Sequence, residues 1–197
     1  MRFTEVNKND DYYSDKFINL IPQNKIKSEN LQKMKNIPAI KLNLMPSERK
    51  FLRSNKIKIR DILKYSVEEL TRLLRVSPIR AMELHALVEF QCIPSIGLKF
   101  AQDLISLGYY SLDELKDKDS AKILDELELS TGTWIDPCVE DQCRLVVHFA
   151  NEKDRGLNWW DFTEERKKYR LEHGYPANRP QKAWFEHEKY QKTEFKK

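Results

Sequence analysis

From residue 44 onward, apolar residues recur at spacings of three and four, and nearly every group is introduced by a capping residue and a polar turn. Pro46 stands where a helix begins, Phe51 and Leu52 give that helix an apolar side, and Ser54-Asn55-Lys56 turns the chain. Ser66-Val67-Glu68-Glu69 has the form of a capping box ahead of Leu70, Leu73 and Leu74. Ser77-Pro78 caps and starts a longer helix through Ile79, Ala81, Leu84, Leu87 and Val88. An apolar-Pro-x-apolar-Gly turn, Ile93–Gly97, opens a helix carrying Ala101 and Leu104, and Ser111-x-x-Glu114 reads as the cap of the next, which carries Ile123, Leu124 and Leu127. After the loop Ser130–Thr133, Asp136-Pro137 restarts a helix whose buried stripe is Val139, Cys143, Val146 and Ala150. The pattern predicts an all-α fold, with about five short helices joined by tight turns over 44–150.

The pattern also repeats. A shift of 52 residues places Leu52 on Leu104, Ser54 on Ser106, Asp61 on Asp113, Leu63 on Leu115 and Lys64 on Lys116, which implies two similar units in tandem. The expected organisation is an N-terminal arm over 1–38 with one short helix around Ser28–Lys35, a first unit over 39–90, a second over 91–151, and an extension over 152–197. In the extension, Trp159 and Trp160 are expected to fold the chain back over the bundle, stacking on unpaired bases being the alternative for Trp159–Phe162, and Asp161 or Thr163 to cap a helix running to His173-Gly174. Residues 175–197, with Pro176, Pro180 and the cluster Trp184-Phe185, read as a loose helix or tail.

Charge changes the picture more than composition does. The 197 residues are 40% apolar and contain only five glycines, which favours helices. No run approaches the ~20 apolar residues of a membrane span, and three cysteines fit a reducing compartment, so a soluble cytoplasmic protein is expected. The net +4 is unevenly placed: Lys and Arg against Asp and Glu number 11 and 6 over 39–90 but 5 and 11 over 91–150. Six of the twelve residues from Arg49 to Arg60 are basic, alternating with Phe51, Leu52, Ile57 and Ile59. Phosphate backbone is drawn to such surface, which makes Arg49, Lys50, Arg53 and Lys56, with Ser77 and Arg80 at the next helix start, the first candidates for nucleic-acid contact.

The second set is Ser95, Gly97 and Lys99, where a helix start offers free amides to a phosphate and Lys99 is the one positive side chain placed to help. A bulky residue at Gly97 is expected to harm both folding and any such contact. Metal binding is disfavoured because Cys138 and Cys143 stand about 140° apart on a helix, with His148 five residues further on. No phosphate loop, His-Glu-x-x-His or Gly-x-Ser-x-Gly is present, so no enzymatic activity and no cofactor are expected.

Two resemblances sharpen these expectations. The strings Leu44-Met45-Pro46, Arg53-Ser54-Asn55-Lys56-Ile57 and Val76-Ser77-Pro78-Ile79-Arg80-Ala81 resemble the C-terminal domain of the bacterial RNA polymerase α subunit, a DNA-binding relative of the helix-hairpin-helix fold. Ser47 stands where that domain places its main DNA-contacting arginine and Ser77 where its hairpin glycine lies. Ile93-Pro94-Ser95-Ile96-Gly97, Leu107-Gly108-Tyr109, Thr131-Gly132-Thr133, Asp136–Asp141, Val146–Ala150 and Asn158–Thr163 resemble the bacterial pathogenicity-locus family, whose members are labelled mitomycin-resistance proteins. Together the resemblances imply tandem helix-hairpin-helix (SAM-like) units with a helical C-terminal extension, and a non-catalytic protein that holds DNA largely independently of sequence, linked to DNA damage. The alternative is a protein-interaction adaptor whose acidic residues 91–150 dock a basic partner.

Overall fold

The computed structural model describes residues 39–186. The arm over 1–38, its short helix and the tail beyond 186 lie outside the described residues. The described chain is all-helical: α1 Pro46–Ser54, α2 Val67–Leu74, α3 Pro78–Gln91, α4 Leu98–Ser106, α5 Ser120–Thr131, α6 Cys138–Glu152 and α7 Thr163–His173, linked by 3-10 turns that include Ile59–Lys64, Asp113–Leu115 and Trp159–Phe162.

The boundaries follow from local chemistry. Ser66 Oγ accepts the Glu69 amide at 3.2 Å while Glu69 Oε2 accepts the Ser66 amide at 2.7 Å, a reciprocal box that starts α2. Ser77 Oγ accepts the Arg80 amide at 3.2 Å, and Asp136 Oδ1 accepts the Cys138 amide at 2.9 Å, so α3 and α6 start where a capping residue precedes proline. Two expected caps do different work. Glu114 accepts the Tyr110 amide at 3.0 Å and closes the short 3-10 turn, while α5 begins later under Asp119, whose carboxylate accepts the Ala121 amide at 3.0 Å. Asp161 holds the Asn158 amide at 2.8 Å and Thr163 donates to Asp141 at 2.9 Å, so α7 continues directly from a 3-10 turn with no side-chain cap.

Two hydrophobic clusters meet on α3. Ala81, Leu84 and Val88 join Leu52, Ile62, Leu70 and Leu74 in the first. Ala86, Leu87 and Phe90 join Ile93, Phe100, Leu104, Leu124, Val146 and Phe162 in the second. At about 100° per residue the two sets occupy opposing sides of one helix. The expected boundary between residues 90 and 91 falls at the end of α3, the helix both clusters share, and the described residues belong to one compact unit.

The repeat is visible in the elements, since α1 and α4 begin and end 52 residues apart. They differ at one buried position. Glu48 is fully buried on α1, and the shift places Phe100 there in α4. Arg80 Nε and Nη2 grip Glu48 at 2.9 and 3.1 Å, Nη1 reaches Glu83 at 3.3 Å, and Nη2 also reaches the Asn43 carbonyl at 2.8 Å. Counted from Pro78 and Pro137, Arg80 matches Val139, which packs against the second cluster. An ion pair in the first core thus stands where the second core is apolar.

The extension closes the acidic unit. Arg170 Nε meets buried Glu140 at 2.7 Å and its Nη2 meets Asp125 at 2.9 Å, while Arg144 bridges Glu140 and Glu165 at 2.7 Å each. Arg166 meets buried Asp141 at 2.7 Å. Arg179 takes both oxygens of buried Glu128 at 2.7 Å, and Tyr175 lies between the Arg170 and Arg179 guanidinium groups at 4.3 and 3.6 Å. Residues 175–186 are accordingly an ordered strap, with Ala183 buried and the Trp134 amide donating to the Lys182 carbonyl at 2.8 Å.

Arg80→Met leaves the Glu48 carboxylate buried without its cation and is expected to cost about 3 kcal/mol in urea unfolding, whereas Glu48→Leu with Arg80→Met recovers most of it. Burial works to raise the Glu48 carboxyl, but its bonds to Arg80 and the Met45 amide outweigh burial and hold it below its ordinary value of 4.5. The stability from this pair is thus present above pH 4.5 and disappears as pH falls through the depressed value, so the parent and the double variant converge in stability in acid.

Candidate nucleic-acid interface

The candidates sort by what already engages them. Arg49, Lys50 and Arg53 are exposed on α1. They span about 100° of the helix, on the side away from buried Glu48 and Leu52. No carboxylate among the described residues pairs with any of the three, nor with exposed Lys56, which turns the chain in the left-handed region at φ 54°. These four therefore form a solvated cationic face at the edge of the first core.

Arg80 and Ser77 are engaged within the fold. The Arg80 guanidinium is divided among Glu48, Glu83 and a carbonyl, and the Ser77 hydroxyl caps α3. Both residues lie in first turns, since Glu48 and Arg80 are each the third residue of their helix. Their pairing brings the N-termini of α1 and α3 within a side chain's length of one another, so two positive helix ends share this region.

At the second turn, Ser95 occupies the left-handed region at φ 58°, and its hydroxyl accepts the Trp159 amide at 3.1 Å. Arg155 donates to the Cys92 carbonyl at 2.9 Å from the same segment of the extension. Ser95 is thus a structural latch. Lys99 is 71% exposed and pairs with Asp103, a surface contact that gives way to a stronger anion at small cost. Gly97 sits at φ −103°, and a Cβ added there meets nothing within 4 Å. The expected harm from a bulky residue at Gly97 has no backbone cause, since any residue can adopt this conformation and a Cβ meets open space.

Burial and neighbouring carboxylates hold the thiols protonated. Burial, then the Asp136 carboxylate, push Cys138 up to about 12. Burial raises Cys92 and, well above the ordinary value, fully buried Cys143. No group of three or more His, Cys, Asp or Glu among the described residues could hold a metal ion. Nor is any helix among them long and apolar enough to cross a membrane.

The acidic segment presents less charge than its sequence suggests. Glu128, Glu140 and Asp141 are buried against arginines of the same chain. Three of the carboxylates counted toward a basic partner are thus engaged from within, while Asp113, Glu114, Asp117, Asp119, Glu126 and Asp136 stay exposed. Sequence reasoning missed these arginines because Arg179 lies 51 residues from Glu128, and only an arginine near an aromatic in a Pro-bearing tail hinted at an ordered strap.

Residues 83–168 match the model of a protein family described as Pathogenicity locus. The stretch spans every buried residue of the second cluster, from Ala86 to Phe162, and stops short of Arg170 and Arg179. No curated protein and no solved structure matches the chain. The likeness of residues 44–90 to the polymerase domain rests on the motifs quoted for it.

Gly97→Ala is expected to change stability by under about 0.5 kcal/mol, whereas Ser95→Ala forfeits the bond to Trp159 and costs about 1 kcal/mol in thermal or urea unfolding. At pH 8 the native thiols are expected to resist iodoacetamide, with all three labelled once urea unfolds the chain.

Proposed function

We propose that this protein binds DNA without catalysis and largely without reading its sequence, through the α1 face of Arg49, Lys50 and Arg53 with Lys56. The observation that carries the reading is that these four cations are exposed, lack carboxylate partners among the described residues and are gathered on one helix and its following turn, whereas Arg80, Arg144, Arg166, Arg170 and Arg179 are paired internally. Unpaired surface cations release counterions from phosphate and supply affinity that is independent of base sequence.

The helix-hairpin-helix character of the two turns and a connection to DNA damage, through the mitomycin-resistance label of the resembled family, belong to this proposal. So does a cytoplasmic setting. The repeat explains why the first unit carries the contact. A shift of 52 residues sets Ala101, Gln102, Ile105 and Gly108 opposite Arg49, Lys50, Arg53 and Lys56, so the second unit offers no cation at those positions.

Titration of the full chain against a mixed-sequence duplex at several salt concentrations is expected to show an affinity that falls linearly on logarithmic axes, with a slope of roughly 2–4 released counterions. Reversal of Arg49, Lys50 and Arg53 to Glu is expected to abolish binding while leaving the thermal midpoint nearly unchanged, because all three side chains face solvent. A triple variant that binds as the parent does would sink the basic-face reading.

A further inference from the structure

The strap over 175–186 is seated differently from the helices beneath it. Ala183 is its one fully buried residue; Tyr175, Pro176, Arg179, Pro180 and Trp184 are half-buried, and the others face solvent. Gly174, at φ 68°, ends α7 and lets the chain leave the helix just before the strap begins. A segment with so little buried apolar surface opens at a lower free energy than the core it lies on.

Its attachments gather at two places close together in the chain. Arg179 Nε and Nη2 meet Glu128 Oε2 and Oε1 at 2.7 Å each, and Glu128 Oε1 also accepts the Ile135 amide at 2.8 Å. Six residues beyond Glu128, the Trp134 amide donates to the Lys182 carbonyl at 2.8 Å and the Trp184 amide donates to the Trp134 carbonyl at 2.9 Å, a lone parallel bridge. The Phe185 ring meets the Trp134 ring edge-on at 5.7 Å. A groove of about 280 Å³ runs beside these contacts, lined by Trp134 and Pro137 on one side and by Arg179, Pro180 and Gln181 of the strap on the other.

The main clasp is therefore a pair of ions, and opening the strap returns both to water. Desolvation of the two ions offsets much of their attraction, so the intact pair fixes where the strap lies and adds little to the cost of lifting it. Removal of one partner acts differently. It leaves the other charge uncompensated in the closed state alone, which drives the strap open. Glu128 and Trp134 lie within residues 83–168, the stretch that matches the family model, and the strap lies outside it.

We infer that residues 175–186 are a releasable lid, clasped by Glu128 and Arg179 over Trp134, that opens while the helical bundle stays folded. Opening removes one wall of the groove, uncovers the Trp134 ring and frees the Trp134 amide and carbonyl, so the lid governs access to this end of the bundle. The inference stands apart from the DNA-binding reading, whose cations lie on α1 and the turn after it.

Amide hydrogen exchange on the full chain, followed by NMR at several low urea concentrations, tests it. The Trp134 and Trp184 amides report the bridge, and those of Leu145 and Val146 report the interior of α6. In the parent, the two bridge amides are expected to be equally protected, to exchange at least about tenfold faster than the α6 pair and to respond only weakly to urea. Glu128→Gln, which keeps an acceptor for the Ile135 amide, is expected to speed the bridge amides about tenfold more and to leave the α6 pair unchanged. Adding Arg179→Met to Glu128→Gln is expected to restore much of the protection, because no charge is then stranded. Bridge amides that exchange with the α6 pair, at the same rate and with the same steep urea dependence, would show that the strap leaves only on global unfolding and would overturn the inference. So would bridge protection that Glu128→Gln leaves untouched. The first of these outcomes is read from the parent alone and does not depend on how a variant folds.

Discussion

Glu48, Glu128 and Glu140 are each wholly buried, and a carboxylate withdrawn from water must find donors or destabilise the fold that hides it. Each finds them on arginine. Arg80 answers Glu48 across 32 residues, Arg179 answers Glu128 across 51, and Arg170 answers Glu140 across 30. Because these partners come from distant segments, the pairs dictate where segments lie: α3 against α1, and the extension against α5 and α6. Apolar contact alone is tolerant of small slips, while a bidentate guanidinium on a buried carboxylate is not.

The same requirement sorts the chain's cations by role. An arginine committed to a buried carboxylate cannot turn to a phosphate without leaving a buried charge behind, which makes it part of the scaffold. Four of the side chains with no such commitment among the described residues, Arg49, Lys50, Arg53 and Lys56, sit on one helix and the turn that follows it. The low overall charge therefore conceals a division in which Glu48, Glu128, Glu140 and Asp141 are internal and a block of the base is external.

The two units show how one element order serves two ends. In the second unit the α4 positions that match the basic face are Ala101, Gln102, Ile105 and Gly108, of which Ala101 is buried and Ile105 packs against the core. The first unit keeps arginine and lysine at those positions and an ion pair within, whereas the second has no cation at those positions, is apolar within, and gathers the extension around its acids. The family match covers the buried residues of the second cluster and, of the first, only Leu84 and Val88 on the shared helix α3.

Much of the helical architecture was legible in the sequence because its signals are local. Pro46, Ser66-x-x-Glu69, Ser77-Pro78 and Asp136-Pro137 fix helix starts through bonds that span two or three residues, and the 52-residue shift exposed the repeat. The free face of Arg49, Lys50 and Arg53 was legible too, as a run of charge on a predicted helix. The choice of partner for each charge was not. Arg80 and Arg49 look alike in the sequence, yet the fold buries a glutamate beside one and nothing beside the other. Nor could local pattern divide Trp159, half-buried against the second cluster, from exposed Trp160, or show that Ser95 latches the extension, because those outcomes depend on contacts 64 residues apart. Side-chain pairing across such distances is decided by packing, and packing exists only once the chain has folded.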